Sequence, residues 1–483
     1  MKRKRGEITV FLSLIMVCCL SLFLGLLESA RTAGAGLYLE MAANSAMSSV
    51  MSQYNRNLWD MYHLLFLEAE SEDAVKESFE SFLSFYTEQE NLYPMKLEET
   101  DILAVSYMDE SGGEALEREI AEYMKHRVPD LVSKMNRISD VAQEASAVGD
   151  FKQRFEDCLQ ELSLQDDQAE EDSEDSFDDS DGSGYREELK ELFQLENITG
   201  EQWKQLLSGG FLSFVLPNDT EVSSARVSLN GIPSKEMKKG GRIPDRDFVS
   251  PGSHFVVNEY CLLHFDSFLE EKTPVPGYKD QPLKYEMEYL LYGNPADREN
   301  LSDTIQSLIF IRGALNLIYL MGTPEKKAEA DGLALAVSAG NIPLQAVLST
   351  LLLTLWSVGE AILDVRGLLA GGSVPFRKSE ETWQLSLEQL RSFEFLKSKE
   401  SLNRSDEKGD YEDYLRILCF LMERGEKNGR IMDLIQWNVR TVQPDFAVED
   451  CIGRIEVQAN VRSRHLFFDK EDYLQSANVT GTY

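Results

Sequence analysis

The feature that most constrains this chain is an uncharged stretch near its start, from Ile8 to Leu27. Most of it consists of Leu, Ile, Val and Phe. A helix of that length spans about 30 Å, which is the thickness of the hydrocarbon core of a bilayer. The sequence therefore predicts a transmembrane helix over residues 8–27, in contact with membrane lipid.

The charges around this stretch predict its orientation. Residues 2–5 are all Lys or Arg, whereas Arg31 is the only cation between positions 28 and 47. Because basic residues stay on the cytoplasmic side, residues 1–7 are expected to form a cytoplasmic tail and the bulk of a single-pass protein to be extracytoplasmic. Ala33-Gly34-Ala35 has the form of a signal-peptidase site, so a cleaved signal peptide is the alternative. The apolar stretch is longer than a typical signal h-region, which favours a retained anchor in the cell membrane.

The net charge limits the partners of the chain. The 483 residues contain 83 Asp and Glu against 48 Lys and Arg, which gives a formal net charge of -35. Such a chain repels phosphate backbones, so nucleic acid is not expected as a partner. Hydrophobic residues make up 43% of the chain, which is typical of globular proteins.

A helical stalk is predicted over residues 28–70, continuous with the membrane helix. Apolar residues there recur at alternating spacings of four and three, as in a coiled coil. The residues of this seam are Met47, Met51, Tyr54, Leu58, Met61 and Leu65. Two interpretations stay open: the seam is an assembly surface for other envelope proteins, or it packs against this protein's own domain.

Further domains are predicted from changes in composition. An α+β domain is expected over residues 71–164, with a strand at 101–107. Acidic residues predominate from Asp166 to Asp181, which predicts a disordered linker over 165–184 that binds divalent cations weakly. Residues 185–483 are expected to be mainly helical with a terminal strand, because apolar and polar residues alternate from Ile455 to Arg462.

A second uncharged run covers residues 332–359 and raises the question of a second span. Gly340, Asn341 and Pro343 interrupt it, and the apolar residues after them are too few to cross a bilayer. Two buried helices are therefore predicted. The resulting fold class is mainly α (α+β): a transmembrane helix and stalk, then helical extracytoplasmic domains with a small β-sheet.

The candidate site residues form a polar set in the apolar helical region. Glu360 and Asp364 are separated by one helical turn and so lie on one face of a helix. Arg312 and Arg366 are the expected neutralising partners, which predicts a structural ionic network. The alternative is an acid–base pair of an anchored cell-wall hydrolase, but no substrate-binding motif accompanies the pair.

Other chemistry has little support in the sequence. Four exported cysteines, Cys158, Cys261, Cys419 and Cys451, permit two disulfides in three connectivities or four free thiols. A partial calcium-loop pattern over 177–188 has Phe at its first ligand position. Cys261 and His264, with His254 nearby, lack a fourth zinc ligand. We therefore predict no metal site, no cofactor and no enzymatic activity.

Several strings resemble a known family. The start "RGEITVFLSLIMVCCLSLFLGLLESAR" resembles the anchors of TadE/TadG-like proteins of Flp (Tad) pilus loci, and in particular an uncharacterised Gram-positive branch. Further similar strings are "YEMEYLLYGN", "WSVGEAILDVRGLLAGGSVPFRKS" and "DYLRILCFLMERGEKNGRIMDLIQWN". The resemblance implies a structural or accessory component of a Tad-like pilus or secretion apparatus, with envelope or pilus proteins as partners. One departure concerns processing: prepilins cut after Gly carry Glu at the fifth mature position, where this chain has Phe11.

A second function class stays open beside the pilus expectation. The acidic composition also fits a surface module that binds a ligand or a cation. Calcium would then raise the stability of the folded protein, because binding to the folded state must do so.

Overall fold

The computed structural model describes residues 4–88, 93–125, 127, 131–145, 148–163, 192–193, 210–217, 220–237, 251–272, 281–397, 409–467 and 472–483. The acidic linker predicted over 165–184 and the calcium-loop pattern lie outside these residues.

The described residues are mainly helical, with one small antiparallel sheet, which confirms the predicted fold class. The helices are α1 (Lys4–Met51), α2 (Arg56–Tyr62), α3 (Glu72–Thr87), α4 (Glu114–Met124), α5 (Leu131–Ala145), α6 (Val148–Ser163), α7 (Leu212–Val215), α8 (Pro233–Glu236), α9 (Pro251–His264), α10 (Glu286–Tyr292), α11 (Asp297–Gly322), α12 (Pro324–Val337), α13 (Ile342–Leu369), α14 (Leu387–Ser392), α15 (Glu394–Lys397), α16 (Tyr411–Leu421) and α17 (Arg424–Arg440). The strands are β1 (Leu67–Glu68), β2 (Met95–Tyr107), β3 (Cys451–Arg464) and β4 (Asp472–Thr482).

The sheet joins the two ends of the chain. β3 is its centre: β2 pairs with one edge, and β4 and the short β1 pair with the other, all antiparallel. Ile102 of β2 lies opposite Val457 of β3, which in turn lies opposite Val479 of β4. The segments 71–164 and 185–483 therefore share a sheet, which corrects the predicted division into separate domains. Alternation in a sequence identifies a strand but not the strand with which it pairs.

Two hydrophobic cores hold the fold together. The smaller core lies between α1, α3 and one face of the sheet. The larger core is formed by the helices and draws residues from both sides of the predicted linker, including Leu116 and Phe155 before it and Leu352 and Ile435 after it. Both cores thus depend on the two halves of the chain folding together.

The first helix ends at Met51, which corrects the continuous stalk predicted over 28–70. The side chain of Asn55 accepts a hydrogen bond of 2.8 Å from the amide of Leu58 and starts α2 as its N-cap. Asn is among the most favourable N-cap residues, because its side-chain oxygen satisfies a free amide of the first turn. The apolar spacing in the sequence continues across this break because α1 and α2 each contribute apolar residues to a hydrophobic core.

The uncharged run at 332–359 divides where the sequence predicted. α12 ends at Val337, Gly340 has a positive φ of 86°, and Asn341 caps α13 by accepting from the amide of Leu344. By length and composition alone, three helical segments of the described chain could cross a membrane: Ile8–Met51, Asp297–Gly322 and Ile342–Leu369. In the last two, 61% and 72% of the most apolar window is buried inside the protein, against 0% in the first.

Candidate functional site

The first half of α1 is bare and apolar. From Ile8 to Leu27 its large apolar side chains are exposed, apart from half-buried Leu24, and Met16 and Leu22 are each 70% exposed. An apolar surface of this size is unfavourable in water by about 25 cal/mol per Å². This half of the helix therefore requires a non-aqueous surrounding, and its length matches that of a membrane anchor.

The second half of α1 buries one face against the sheet. Its inward residues recur at helical spacing and include several alanines, whose small side chains allow the helix to lie close to the strands. These inward residues are Ala35, Leu39, Ala42, Ala43, Ala46, Met47 and Val50. They form the smaller core with sheet residues such as Val457, Ala459 and Val479. The anchor is thus a rigid extension of the folded body.

The opposite face of the same helix stays exposed and apolar beyond the membrane segment. Leu26, Ala30, Ala33, Leu37 and Met41 are all exposed and follow one another at spacings of four, three, four and four. Residues at such spacings lie on one side of a helix. We call this set of residues the outward stripe. It combines large flanking side chains with small residues that permit close approach of another helix.

A buried ionic contact marks the point where the apolar segment ends. Glu28, the residue after Leu27, accepts hydrogen bonds of 3.1 Å from Arg31 Nη2 and 3.0 Å from His465 Nδ1. Burial alone would raise the pKa of Glu28. The hydrogen bonds from His465, Arg31 and the amide of Leu466 outweigh it and hold that pKa below its usual value.

The same carboxylate holds residues 465–467, which follow β3 and which we call the turn after β3. The amides of Leu466 and Phe467 both donate to Glu28 Oε2 at 3.3 Å, and Arg31 donates to the carbonyl oxygen of Arg464. Further along, Gln475 Nε2 donates to the carbonyl oxygen of Thr32 at 3.0 Å. The turn after β3 is therefore fastened to α1 at the edge of the apolar segment.

The predicted assembly seam is divided among separate surroundings. Met47 and Met51 are buried in the smaller core, Leu58 and Met61 pack in the larger one, and Tyr54 and Leu65 line a surface groove. The structure thus places this seam largely against the protein's own body. The outward stripe is the exposed helix face that sequence reasoning missed, although the helical spacing of its apolar residues was visible in the sequence.

The groove lies where α1 ends, beside the last strand. Its volume is about 390 Å³. The lining residues are Asn44, Met47, Ser48, Met51, Ser52, Tyr54, Leu65, Thr480, Gly481, Thr482 and Tyr483. The hydroxyl of Tyr483 donates to the carbonyl oxygen of Met51, which ties the last residue of the sequence to the end of α1.

The predicted polar set is brought together in the larger core, with a cation that the sequence did not single out. Arg312 Nη2 and Nε donate to Asp364 Oδ2 at 2.9 and 3.0 Å. Lys378 Nζ bridges Glu360 Oε1 at 2.5 Å and Asp364 Oδ1 at 2.6 Å. The side chains in these pairs are fully buried. Lys378 lies in the loop after α13, where no local pattern marks it as a partner.

The remaining acceptor sites of the network are filled by the main chain. The amides of Gln384 and Leu385 donate to Glu360, at 3.0 and 2.7 Å. Burial, and then the charge of Asp364, raise the pKa of Glu360 above its usual value, while Lys378 opposes this shift. The two buried carboxylates are thus contacted by Lys378, by Arg312 and by main-chain amides of the loop after α13.

Arg366 does not join this network, which corrects its predicted role. Its guanidinium donates to the carbonyl oxygens of Phe214 and Phe395, at 2.8 and 3.2 Å. In the described part of the chain no ion pair links Arg366 to Glu360 or Asp364. Positions 364 and 366 are too close in sequence to share a helix face, so the two side chains project from different sides of α13.

The cysteines and histidines form no metal centre in the part of the chain that the structure describes, where no group of three or more His, Cys, Asp or Glu is arranged to hold an ion. Cys158, Cys261, Cys419 and Cys451 are all buried, and the last three are free thiols. The ring of His264 packs against that of Tyr260, with centroids 4.4 Å apart and the planes tilted by 37°, and burial lowers the pKa of His264 to about 4.

The chain matches the model of a protein family. A family model described as "Family of unknown function (DUF5702)" matches residues 189–463, more than half of the chain. No curated protein and no solved structure matches.

Proposed function

Since the chain belongs to the DUF5702 family, whose function is unknown, we propose a role from its own geometry. It is a non-enzymatic, membrane-anchored protein whose bulk lies outside the cytoplasm. It serves as a structural or accessory component of a Tad-like pilus or secretion apparatus. Its partners are other envelope proteins, which it meets through helix α1.

The observation that carries this proposal is the two-faced second half of α1. One face is buried against the sheet, so the helix cannot rotate relative to the body. The other face presents the outward stripe, which continues the apolar surface of the anchor by about four helical turns beyond Leu26. An apolar helix face that starts in the membrane and continues outside it suits lateral packing against a partner helix.

The anchor supports the same proposal. None of the most apolar window of α1 is buried inside the protein, and the basic residues before segment 8–27 favour a cytoplasmic start. The bodies of α11 and α13 are better explained as buried helices, because most of their apolar windows are covered by the protein. One span then suffices for the residues that the structure describes.

The resemblance of the anchor to TadE/TadG-like proteins supplies the class of apparatus. The structure contributes a reason to favour assembly over hydrolysis: Glu360 and Asp364, the residues considered for acid–base catalysis, are fully buried and bound to Lys378 and Arg312. Their occupied oxygens fit a structural role.

The experiment compares two double variants of the full chain in its native cell. Leu37→Lys with Met41→Lys places charge in the outward stripe. Leu335→Lys with Leu421→Lys, exposed on α12 and α16, is the matched control. We expect the stripe variant to stay in the membrane but to lose its high-mass assemblies on native gels, together with surface filaments or secretion. The control should keep them. Unchanged assemblies in the stripe variant would overturn the proposal.

A further inference from the structure

We propose that the turn after β3 dips into the interfacial layer of the bilayer that holds residues 8–27, so that the protein meets the membrane at two places. The inference rests on the proposed anchor. The contact consists of Leu466 and Phe467 in the turn and Leu474 at the start of β4, which we call the tip patch. Its partner is the lipid headgroup and upper acyl-chain region.

Depth is the first argument. Glu28 follows the last apolar residue of the anchor directly, and it accepts hydrogen bonds from the amides of Leu466 and Phe467. One helical turn is about 5.4 Å, so Glu28 lies within about one turn of the hydrocarbon edge. The interfacial region adds about 5–8 Å on each side of the hydrocarbon core. The backbone of the turn therefore lies at interfacial depth.

Exposure is the second argument. Leu466 is 58% exposed, Phe467 46% and Leu474 64%. Leu474 lies opposite Arg462 in the β3–β4 ladder, close to the end of β3 at Arg464, so it stands at the same end of the sheet. Large apolar side chains gathered at one end of a sheet, beside a membrane helix, are stabilised by entering the interface rather than by contact with water.

Charge is the third argument. The chain as a whole carries a net charge of -35, which disfavours contact with an anionic lipid surface. Beside the tip patch this net charge is not repeated, because exposed Arg464 lies opposite exposed Asp472 in the β3–β4 ladder. The long side chain of Arg464 can extend to the headgroups while the apolar residues beside it enter the interface.

Lipid is favoured over a protein partner of the tip patch because the anchor itself places the patch beside the bilayer, without any further component. The hydrogen bonds to Glu28 fix the turn to α1, and α1 enters the bilayer at that residue. Two attachments also fix the tilt of the body relative to the anchor. The outward stripe is then held at a constant angle to the membrane, as repeated lateral packing requires.

The test places single tryptophans in the full chain, reconstituted in phosphatidylcholine vesicles with or without lipid brominated near the headgroup end of its acyl chains. Bromine quenches a nearby indole. The variants are Phe467→Trp in the tip patch, Leu14→Trp in the anchor and Leu421→Trp on the exposed end of α16. The parent chain, with its five native tryptophans, supplies the background to subtract.

We expect brominated lipid to quench the added fluorescence of Phe467→Trp and Leu14→Trp at least twofold, and to leave that of Leu421→Trp unchanged. Quenching of Leu14→Trp alone would overturn the tip contact while leaving the anchor intact. Absence of quenching in both would overturn the anchor and the tip contact together.

Discussion

Glu28 Oε1 accepts a hydrogen bond of 3.0 Å from Nδ1 of His465, a residue 437 positions further along the chain. Glu28 follows the apolar segment of α1 directly, and His465 follows the last residue of β3. This contact fastens the last hairpin of the protein to its first helix at the edge of the proposed membrane segment. The contact between the folded body and the anchor can therefore be tested by mutating Glu28.

Glu28→Ala should release the turn after β3, residues 465–467, without unfolding the protein. The substitution removes the acceptor of the Leu466 and Phe467 amides and leaves Arg31 without its carboxylate. We expect faster hydrogen exchange at residues 464–467, measured by mass spectrometry in detergent or nanodiscs. Glu40→Ala, on an exposed position of the same helix, is the control and should leave that exchange unchanged. Equal protection in both variants would show that the contact does not hold the turn.

The two faces of α1 should respond differently to the same enlargement. Ala46→Leu inserts volume into the fully buried face against the sheet and should lower the free energy of unfolding by about 1–3 kcal/mol. Ala33→Leu enlarges the exposed outward stripe and should change it by less than about 0.5 kcal/mol. Chemical denaturation of the purified chain measures both. A larger loss from Ala33→Leu would contradict the assignment of the faces.

The stability of the folded protein should depend on Lys378, the lysine of the buried ionic network. Lys378→Met leaves two buried carboxylates, Glu360 and Asp364, with one cation, Arg312, which pairs with Asp364. Breaking a buried ion pair in this way costs about 3–5 kcal/mol, because a charge remains without compensation. Lys125→Met, which breaks an exposed pair with Glu122, should cost less than about 1 kcal/mol. Similar melting temperatures for the two variants would contradict a structural role for the network.

Stability should fall as the pH rises through neutrality, and Glu286 should account for part of the fall. Burial raises the pKa of Glu286 from 4.5 to about 8, despite hydrogen bonds from the amide of Asp266 and from Asn438. The folded state therefore binds the proton more tightly than the unfolded state. This contribution is fully present below pH 4.5 and is lost as the pH passes about 8.

Glu286→Gln tests this prediction, since the amide cannot ionise. Between pH 6.5 and 9 the free energy of unfolding of the parent should fall more steeply than that of the variant. Buried His264, with a pKa lowered from 6.5 to about 4, acts in the opposite direction below pH 6.5, so the comparison begins there. Parallel curves for the two proteins would contradict the raised pKa of Glu286.

Local patterns in the sequence are sufficient to predict individual strands and helix boundaries. Alternation from Ile455 to Arg462 predicted β3, and residues 101–107 were recognised as part of β2. The break at Gly340 and Asn341 was predictable because a positive φ and an N-cap are properties of single residues. Each of these features depends on neighbours within a few positions.

Contacts between distant segments were not predictable in the same way. β2 ends at Tyr107 and β3 begins only at Cys451, and nothing in either strand specifies the other as partner. The same holds for Lys378, which becomes the bridge between Glu360 and Asp364 only when the loop folds back over α13. The acidic segment suggested a domain boundary, whereas the residues on its two sides form a common core.

The central claim is that residues 8–27 permanently tether an extracytoplasmic body to the membrane. The most direct measurement is protease treatment of intact cells or spheroplasts, combined with fractionation of their membranes and detection of both ends of the chain. We predict that the intact chain stays with the membrane after alkaline washing and that external protease cuts away most of it. An intact, soluble chain in the cytosol, shielded from external protease, would contradict the account.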